Sequence, residues 1–437
     1  MQKTDIYKAG MAERKRPVLE NVLDLRANTR RKGPYLVQPW LVIGDTVFAL
    51  VVIERIWRHQ AEAMIDVLCT DVQRQLLTDH PRATEISLAE LSAPSSPCLS
   101  RIGIIPIPKN FYTEESEEVK QRRRDYSIRL SSRKYETVFT EDKENFKMLF
   151  EGRCQRSTHY SLRIFALQAI AEKFFPFLRG TLNEKPKYVI TKGIIDQYFG
   201  IRPSLQEDQV EPVGLYVASR RIANAERRSA YIKNSAKMPK GIVLLVNADT
   251  SSPVTRPPTK LLVSGIGQAL EDDPRIVVGI LPGYTCPQAH TSLYQQLTVT
   301  FGRRVQMVVP DTHPEHLLDT VALIDQADIF VTGDTGLMHL AATKKITREG
   351  EGIGPHARNH LSIISLWGGT RPGYWGYPQH TTIIGEGNPL QRRMYPGIRK
   401  YLWIQKKANY FGHICPSDIT NAILTSEPCV NMSKGTL

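Results

Sequence analysis

Apolar positions along this chain switch repeatedly between two periods. Short runs of branched apolar residues alternate with longer stretches in which apolar positions recur every three or four residues. The alternation is cleanest in the second half. There Gly241–Val246, Arg275–Leu281, Val305–Val309, Asp328–Thr332 and Leu361–Leu366 read as buried strands. Between them Pro258–Leu270, Gln288–Gly302, Leu317–Ala327 and Asp334–Thr343 read as helices. Five strands alternating with four helices predict a parallel, doubly wound α/β sheet with right-handed crossovers.

The first half carries the same signal more weakly. Tyr35–Ile43 reads as a buried strand interrupted only by Gln38 and Pro39, with Gly44 and Asp45 ending it. Val47, Leu50, Val51 and Ile56 then fall at helical spacing, which predicts a helix over Thr46–Arg58, and Met64–Cys69 reads as the next strand. Arg82–Thr113, with Pro94, Pro97, Pro106 and Pro108, predicts loop; Tyr135–Thr140 predicts a strand and Ser161–Phe175 a helix. The division that follows is a basic tail over 1–33, a Rossmann-like domain over 34–205, a linker over 206–240 and a second Rossmann-like domain over 241–405. Residues 406–437 close the chain, their helix at Pro416–Leu424 expected to pack back on the first domain.

A chain of 437 residues is too long for one ordinary core, and 41% hydrophobic with 23% charged residues suits two globular domains. The formal charge of +13 widens the range of partners to polyanions. The positive runs, Arg14–Arg16, Arg26–Lys32, Lys120–Arg124 and Arg220–Lys237, carry no helix-turn-helix, zinc-finger or RNP pattern. They read as solvated faces and tails, and nucleic acid is not the expected partner. Six scattered cysteines without a CxxC pair argue against a disulfide framework and a zinc site and fit a reducing compartment. The N-terminus shows no apolar signal segment, and Thr46–Ile53 is too short to span a bilayer. The expectation is a cytoplasmic protein, with peripheral membrane contact left open by the charge.

The most informative segment is Ile329–Ala342. A β-rich run ends at Gly333 and a helix opens at once, with Asp334 where an N-cap is wanted. Thr335 and Gly336 fall in the first turn, where backbone N–H groups lack intrahelical partners. With the helix dipole behind them, such donors suit a diphosphate. Gly336 allows close approach to the backbone, and His339 stands within reach of a phosphate or sugar. The blander alternative is a capping Asp334 and a His339 filling a polar niche.

Asp334-Thr-Gly-Leu-Met-His339, with Ala341-Ala342 behind it, resembles the Asp-Thr-Gly-x-x-His signature of glycosyltransferase family 9, the heptosyltransferase-like enzymes. The resemblance extends to His316–Asp328, to Ile363–Thr370 and, in the first half, to Ile43-Gly-Asp-Thr-Val-Phe-Ala-Leu50, so it runs from about Trp40 to Thr370. It implies a GT-B fold: two Rossmann-like domains facing across a cleft, the nucleoside diphosphate sugar in the second and a hydroxyl acceptor against the first. Asp45 would be the general base of an inverting transfer, flanked on the acceptor side by Gly44 and Thr46. Gly333, Asp334, Thr335, Gly336 and His339 would bind donor. The family places a basic residue after the first strand of the second domain. On the loop Asn247–Lys260 that residue is Arg256, with Lys260 the second choice. No Asp-x-Asp motif occurs, so the resemblance implies a metal-independent enzyme with no cofactor beyond its co-substrate. The acceptor class stays open among glycan, lipid-linked and small-metabolite hydroxyls.

Two segments depart from the family pattern. Ile280–Pro287 lacks the acidic residue expected near the nucleotide, and Lys344–His360 is a Gly- and charge-rich insertion behind the donor helix. Glu349–Gly354 is not a dinucleotide motif, and the pairs His356/His360 and His313/His316 read as solvated rather than metal-binding. Tyr374–Tyr377 reads as a packed turn that in a cleft could stack on a sugar or base. Two further readings share the architecture: a non-catalytic sugar-nucleotide or nucleic-acid binding protein, and a nucleotide-sugar epimerase.

Overall fold

A computed structural model of the chain describes residues 34–39, 43–87, 90, 101–108, 110–133, 135–140, 157–159, 187–201, 215–250, 252, 254–283, 286–308, 317–351, 361–370, 372–377, 380–385 and 410–433. In the first half these form β1 (Pro34–Gln38), α1 (Ile43–His59), β2 (Met64–Cys69), α2 (Asp71–Arg74), β3 (Ala83–Glu85), β4 (Ile102–Pro106), α3 (Glu117–Ser132), β5 (Thr137–Thr140), β6 (Ser157–His159) and α4 (Lys187–Tyr198). Helix α5 (Ser219–Ser235) leads into the second half. There follow β7 (Ile242–Asn247), α6 (Thr259–Asp272), β8 (Ile276–Ile280), α7 (Pro287–Phe301), β9 (Val305–Met307), α8 (Leu317–Asp325), β10 (Ile329–Gly333), α9 (Gly336–Glu351), β11 (Ser362–Leu366), α10 (Pro372–Trp375) and β12 (Thr382–Ile384). Helices α11 (Pro416–Leu424) and α12 (Glu427–Ser433) end the described chain.

The strands form two six-stranded sheets, ordered β3-β4-β2-β1-β5-β6 and β12-β11-β10-β7-β8-β9. Neighbouring strands pair in parallel throughout, for example Val37 opposite Val67 and Val331 opposite Val246. Both orders reverse direction beside their first strand, at β1/β5 and at β7/β10, and such switch points are where open α/β sheets bind ligands. β7 and β8 are buried at every position, because helices cover both faces and strands so covered must be apolar throughout. The halves share one apolar cluster, in which Val47 and Phe48 of α1 lie with Met338 and Ala341 of α9.

The second-half elements match the sequence reading within a few residues, with β12 added as a sixth strand. The first half differs more. Strand β1 stops at Gln38, and Gly44 and Asp45 sit inside the first turn of α1 instead of ending a strand. The segment read as loop over Arg82–Thr113 holds β3 and β4, and β4 lies inside the sheet between β3 and β2. Its apolar core Ile102-Gly-Ile-Ile105 is only four residues long and meets Pro106, which hid it. The linker reading also changes at α5. Arg221, Ala225, Ser229 and Ile232 form a buried stripe along its 17 residues, masked in the sequence by charges on the other face.

Helix α11 packs on α6 of the second half, not on the first domain as expected. Thr420 Oγ1 donates to Gly265 O at 2.9 Å, and Ile419 and Ile423 join the second-half core. Helix α9 runs on to Glu351, into the stretch read as an insertion. The helix expected over Ser161–Phe175, the tail 1–33 and residues 352–360 lie outside the described residues.

Candidate functional site

The second sheet's switch point is built around Asn247, the last residue of β7 and 2% exposed. Its Nδ2 lies 3.1 Å from Thr332 Oγ1, 3.1 Å from Asp249 O and 3.4 Å from Thr335 Oγ1. Its Oδ1 accepts the Asp249 N–H at 3.1 Å. One amide thus ties the β7 loop to the β10 loop and leaves none of its own polar atoms idle.

Thr335, not Asp334, caps α9. The Met338 N–H donates to Thr335 Oγ1 at 3.3 Å, a cap of the kind that stabilises a helix by about 1 kcal/mol. Asp334 is therefore released from capping, and its Oδ1 stands 3.5 Å from His339 Nε2. His339 is only 4% exposed. Its Nδ1 lies 3.2 Å from the Tyr377 hydroxyl, and its ring meets Phe48 edge-on at 5.7 Å. Burial pushes the Tyr377 hydroxyl pKa well up, so it stays protonated. His339 thus reaches across the seam between the halves, while residues 334–337 remain partly exposed.

Across the seam stands the start of α1. A Cβ on Gly336 would meet Ile43 Cβ at 2.8 Å and Gly44 N at 3.4 Å, and a Cβ on Gly44 would meet His339 Cδ2 at 3.0 Å. Only glycine at both places lets the two helix starts approach this closely. The first turns of α1 and α9 therefore lie against each other, each helix N-terminus carrying the equivalent of roughly half a positive charge. Asp45 lies in the first turn of α1; its side chain is outside the described set. Thr46, expected on the acceptor side, is 1% exposed and accepts from Gln73 Nε2 at 2.9 Å, so it faces the first domain's interior.

The start of α4 completes the seam. Tyr188 stacks on Tyr377 with ring centroids 5.4 Å apart and planes 2° from parallel. Buried Lys187 places its ammonium 4.3 Å from the Phe48 ring centroid, a cation–π contact.

Gly333 ends β10 under the β7 loop, where a Cβ would meet Thr255 O at 2.5 Å. That loop delivers Arg256 to an open cavity of about 400 Å³, lined also by Pro257, Thr259, Cys286 and Gln288 between the starts of α6 and α7. Arg256 donates from Nη2 to Thr250 O at 2.9 Å, and its Nε is buried without a hydrogen bond. Lys260 is exposed in the first turn of α6. Ile280–Pro287 has no acid of its own, but Asp249 supplies one from the next loop, its Oδ1 accepting from Cys286 N at 2.9 Å. His290 Nε2 accepts the Ala248 N–H at 3.0 Å, and burial lowers the His290 pKa, keeping it neutral.

The structure brings Gly44, Asp334, Thr335, Gly336 and His339 into one seam, with Gly333 and Arg256 on the adjoining loop. Lys260 stands apart, exposed at the start of α6, and Thr46 turns away from the seam. Asn247, Phe48, Lys187 and Tyr188 escaped sequence reading. Asn247 was legible as the one polar residue ending a six-residue buried strand; Lys187 and Tyr188 carry no local signal. Tyr377 lies in the turn flagged for stacking, and its partner is Tyr188. Among the described residues no group of three or more His, Cys, Asp or Glu could hold a metal, and no helix is long and apolar enough to cross a membrane.

The family description "Glycosyltransferase family 9 (heptosyltransferase)" matches residues 299–347, the stretch from the end of α7 into α9. Among solved structures, the Escherichia coli ADP-heptose LPS heptosyltransferase II superposes with a TM-score of 0.53 at 14% identity, over 92% of this chain and 99% of that one. A glycosyl transferase family 9 protein from Veillonella parvula DSM 2008 gives 0.58 at 12% identity, over 90% and 97%. The E. coli heptosyltransferase WaaC, solved with ADP, gives 0.52 at 15% identity, over 86% and 100%. No curated protein sequence matches. Fold and family segment agree: the chain has the two-domain GT-B fold of these structures and carries a stretch similar to glycosyltransferase family 9.

Proposed function

We propose that this glycosyltransferase moves a sugar, with inversion, from a nucleoside diphosphate sugar to a hydroxyl acceptor. The observation that carries the reading is the meeting of two helix starts at the seam, Gly44 against Gly336 and His339, at the carboxyl ends of both sheets. Backbone N–H groups and dipoles from both sides suit a ligand with concentrated negative charge. Two of the similar structures are an ADP-heptose heptosyltransferase and a heptosyltransferase solved with ADP, which supports a nucleoside diphosphate for this site too.

In this reading the N–H groups at the start of α9 hold the diphosphate and stabilise the charge that grows on it as the glycosidic bond breaks. Arg256 adds a guanidinium from the β7 loop, and Lys260 lies next along α6. His339, fixed between Asp334 and Tyr377, orients the α9 start beside the donor. Asp45, in the first turn of α1, takes the acceptor hydroxyl proton as that oxygen attacks the anomeric carbon. The departing diphosphate keeps the electron pair of the broken bond. Uncommitted positive charge on the protein suits peripheral contact with an anionic membrane, where a lipid-linked acceptor would be met.

The test is Asp45→Asn. Transfer should fall about 10²–10⁴-fold, the ordinary contribution of a general base, while ADP binding stays unchanged. An Asp45→Asn protein that transfers at the normal rate overturns the role of Asp45.

A further inference from the structure

Each sheet begins with a strand that ends in a side-chain amide at the switch point. In the second half that residue is Asn247, whose amide is fully used. In the first half it is Gln38, the last residue of β1, opposite Thr140 across the β1/β5 switch. Gln38 is 2% exposed. Its Nε2 donates to the Tyr112 hydroxyl at 2.7 Å, which holds the amide plane. Its Oε1 is buried and has no hydrogen-bond partner among the described residues. Buried carbonyl oxygens are almost always paired, because an unpaired one forfeits the hydration it had in the unfolded chain.

Strand alternation tells which face the amide occupies. Tyr35 and Val37 belong to the core under α1, whereas Leu36 packs with Tyr112 and Val138 on the opposite face. Gln38 follows Leu36 and lies on that face, at the carboxyl end of the central strand. The lone pairs on Oε1 require a donor, and a sugar hydroxyl supplies one.

We infer that Gln38 Oε1 is a recognition point for a sugar hydroxyl of the acceptor, set at the first domain's switch point and held in register by Tyr112. The inference rests on the transferase reading in that it assigns the ligand of this domain to an acceptor. It adds a specificity residue that the family resemblance does not supply.

The experiment titrates the full-length protein with methyl α-glucopyranoside, methyl α-galactopyranoside and methyl α-mannopyranoside, read by saturation-transfer NMR. The isosteric Gln38→Met variant keeps the shape of the side chain and removes the carbonyl. At least one pyranoside should bind the wild type and bind Gln38→Met about tenfold or more weakly. Monodeoxy analogues should locate one hydroxyl whose removal weakens wild-type binding and leaves Gln38→Met unaffected. Equal binding to wild type and Gln38→Met, or binding of no pyranoside at all, overturns the inference. If Gln38→Met does not fold, Tyr112→Phe, which frees the amide to turn, should weaken the same pyranoside, and unchanged binding there counts against it. The thermal shift induced by ADP is measured alongside. Its absence in the wild type would count against the nucleotide-sugar reading, whereas its persistence in Gln38→Met separates acceptor recognition from donor binding.

Discussion

Among the described residues, two contacts between the halves are built from different materials. At the first, Arg221 of α5 is 4% exposed and bridges Asp79 of the first half, at 2.7 Å, to Asp319 of α8, at 2.8 Å. Asp79 also accepts the Ala218 N–H at 2.8 Å, and Gln75 Oε1 accepts the Leu317 N–H at 2.7 Å. At the second, glycines, aromatic rings and one histidine meet across the seam from Gly44 to Gly336, with Asp334 near His339. A contact whose buried charges straddle both halves is costly to open, since parting it would strand carboxylates without their cation. A contact made of close backbone approach and ring stacking can part and re-form at far lower cost. In the proposed transferase the Arg221 contact would then serve as a hinge and the glycine seam as the mouth that admits donor.

The sharpest way to break this contrast is Arg221→Met. Removing the shared cation leaves Asp79 and Asp319 facing each other in a buried place and should destabilise the fold by roughly 3–5 kcal/mol in urea unfolding. A loss below about 1 kcal/mol, the value typical of exposed pairs, would remove the hinge from the account.

Gly336→Val should act the other way. Its branches would collide with Ile43, so the seam cannot close, and transfer should fall about 100-fold while the unfolding midpoint moves little. A smaller effect is expected from Tyr188→Ala, which removes the stack on Tyr377. A several-fold weaker ADP affinity with intact folding fits a seam contact, and a large loss of stability would make the stack structural instead.

The smallest effect concerns pH on the hinge side. Burial, helped by the Arg82 charge, lowers the His80 pKa from 6.5 to about 4. His80 packs against Tyr216 at 4.4 Å and Trp57 at 5.6 Å, beside Asp79. The unfolded chain takes up its proton near 6.5, before the folded chain does. Stability present above pH 6.5 is therefore lost as pH falls toward 4. Comparing the melting temperatures of wild type and His80→Phe across that window should show a shallower decline in the variant. Parallel declines would place the acid sensitivity elsewhere.

Legibility in the sequence followed burial. β7, β8 and β10 are covered on both faces, so their unbroken apolar runs could be read directly, and the Asp-Thr-Gly-x-x-His segment marked the α9 start. The cap was misplaced by one residue, because Asp334 and Thr335 are both good caps and only the Thr332 and Asn247 contacts decide between them. β4 was hidden by its shortness and by Pro106. The stripe of α5 was hidden because Arg221 is buried by ion pairing, which hydropathy scores as exposed. Lys187, Tyr188 and Gln38 gain their meaning only from partners 74 to 189 residues away, Phe48, Tyr377 and Tyr112, whose proximity no local pattern encodes.

The central claim is that the paired helix starts grip a diphosphate. Calorimetric titration of the full-length protein with ADP and UDP, and with adenosine and uridine, tests it most directly. One diphosphate should bind at least about tenfold more tightly than its nucleoside, and Gly336→Val should erase that difference. A nucleoside that binds as tightly as its diphosphate, or a Gly336→Val protein that keeps the full preference, would contradict it.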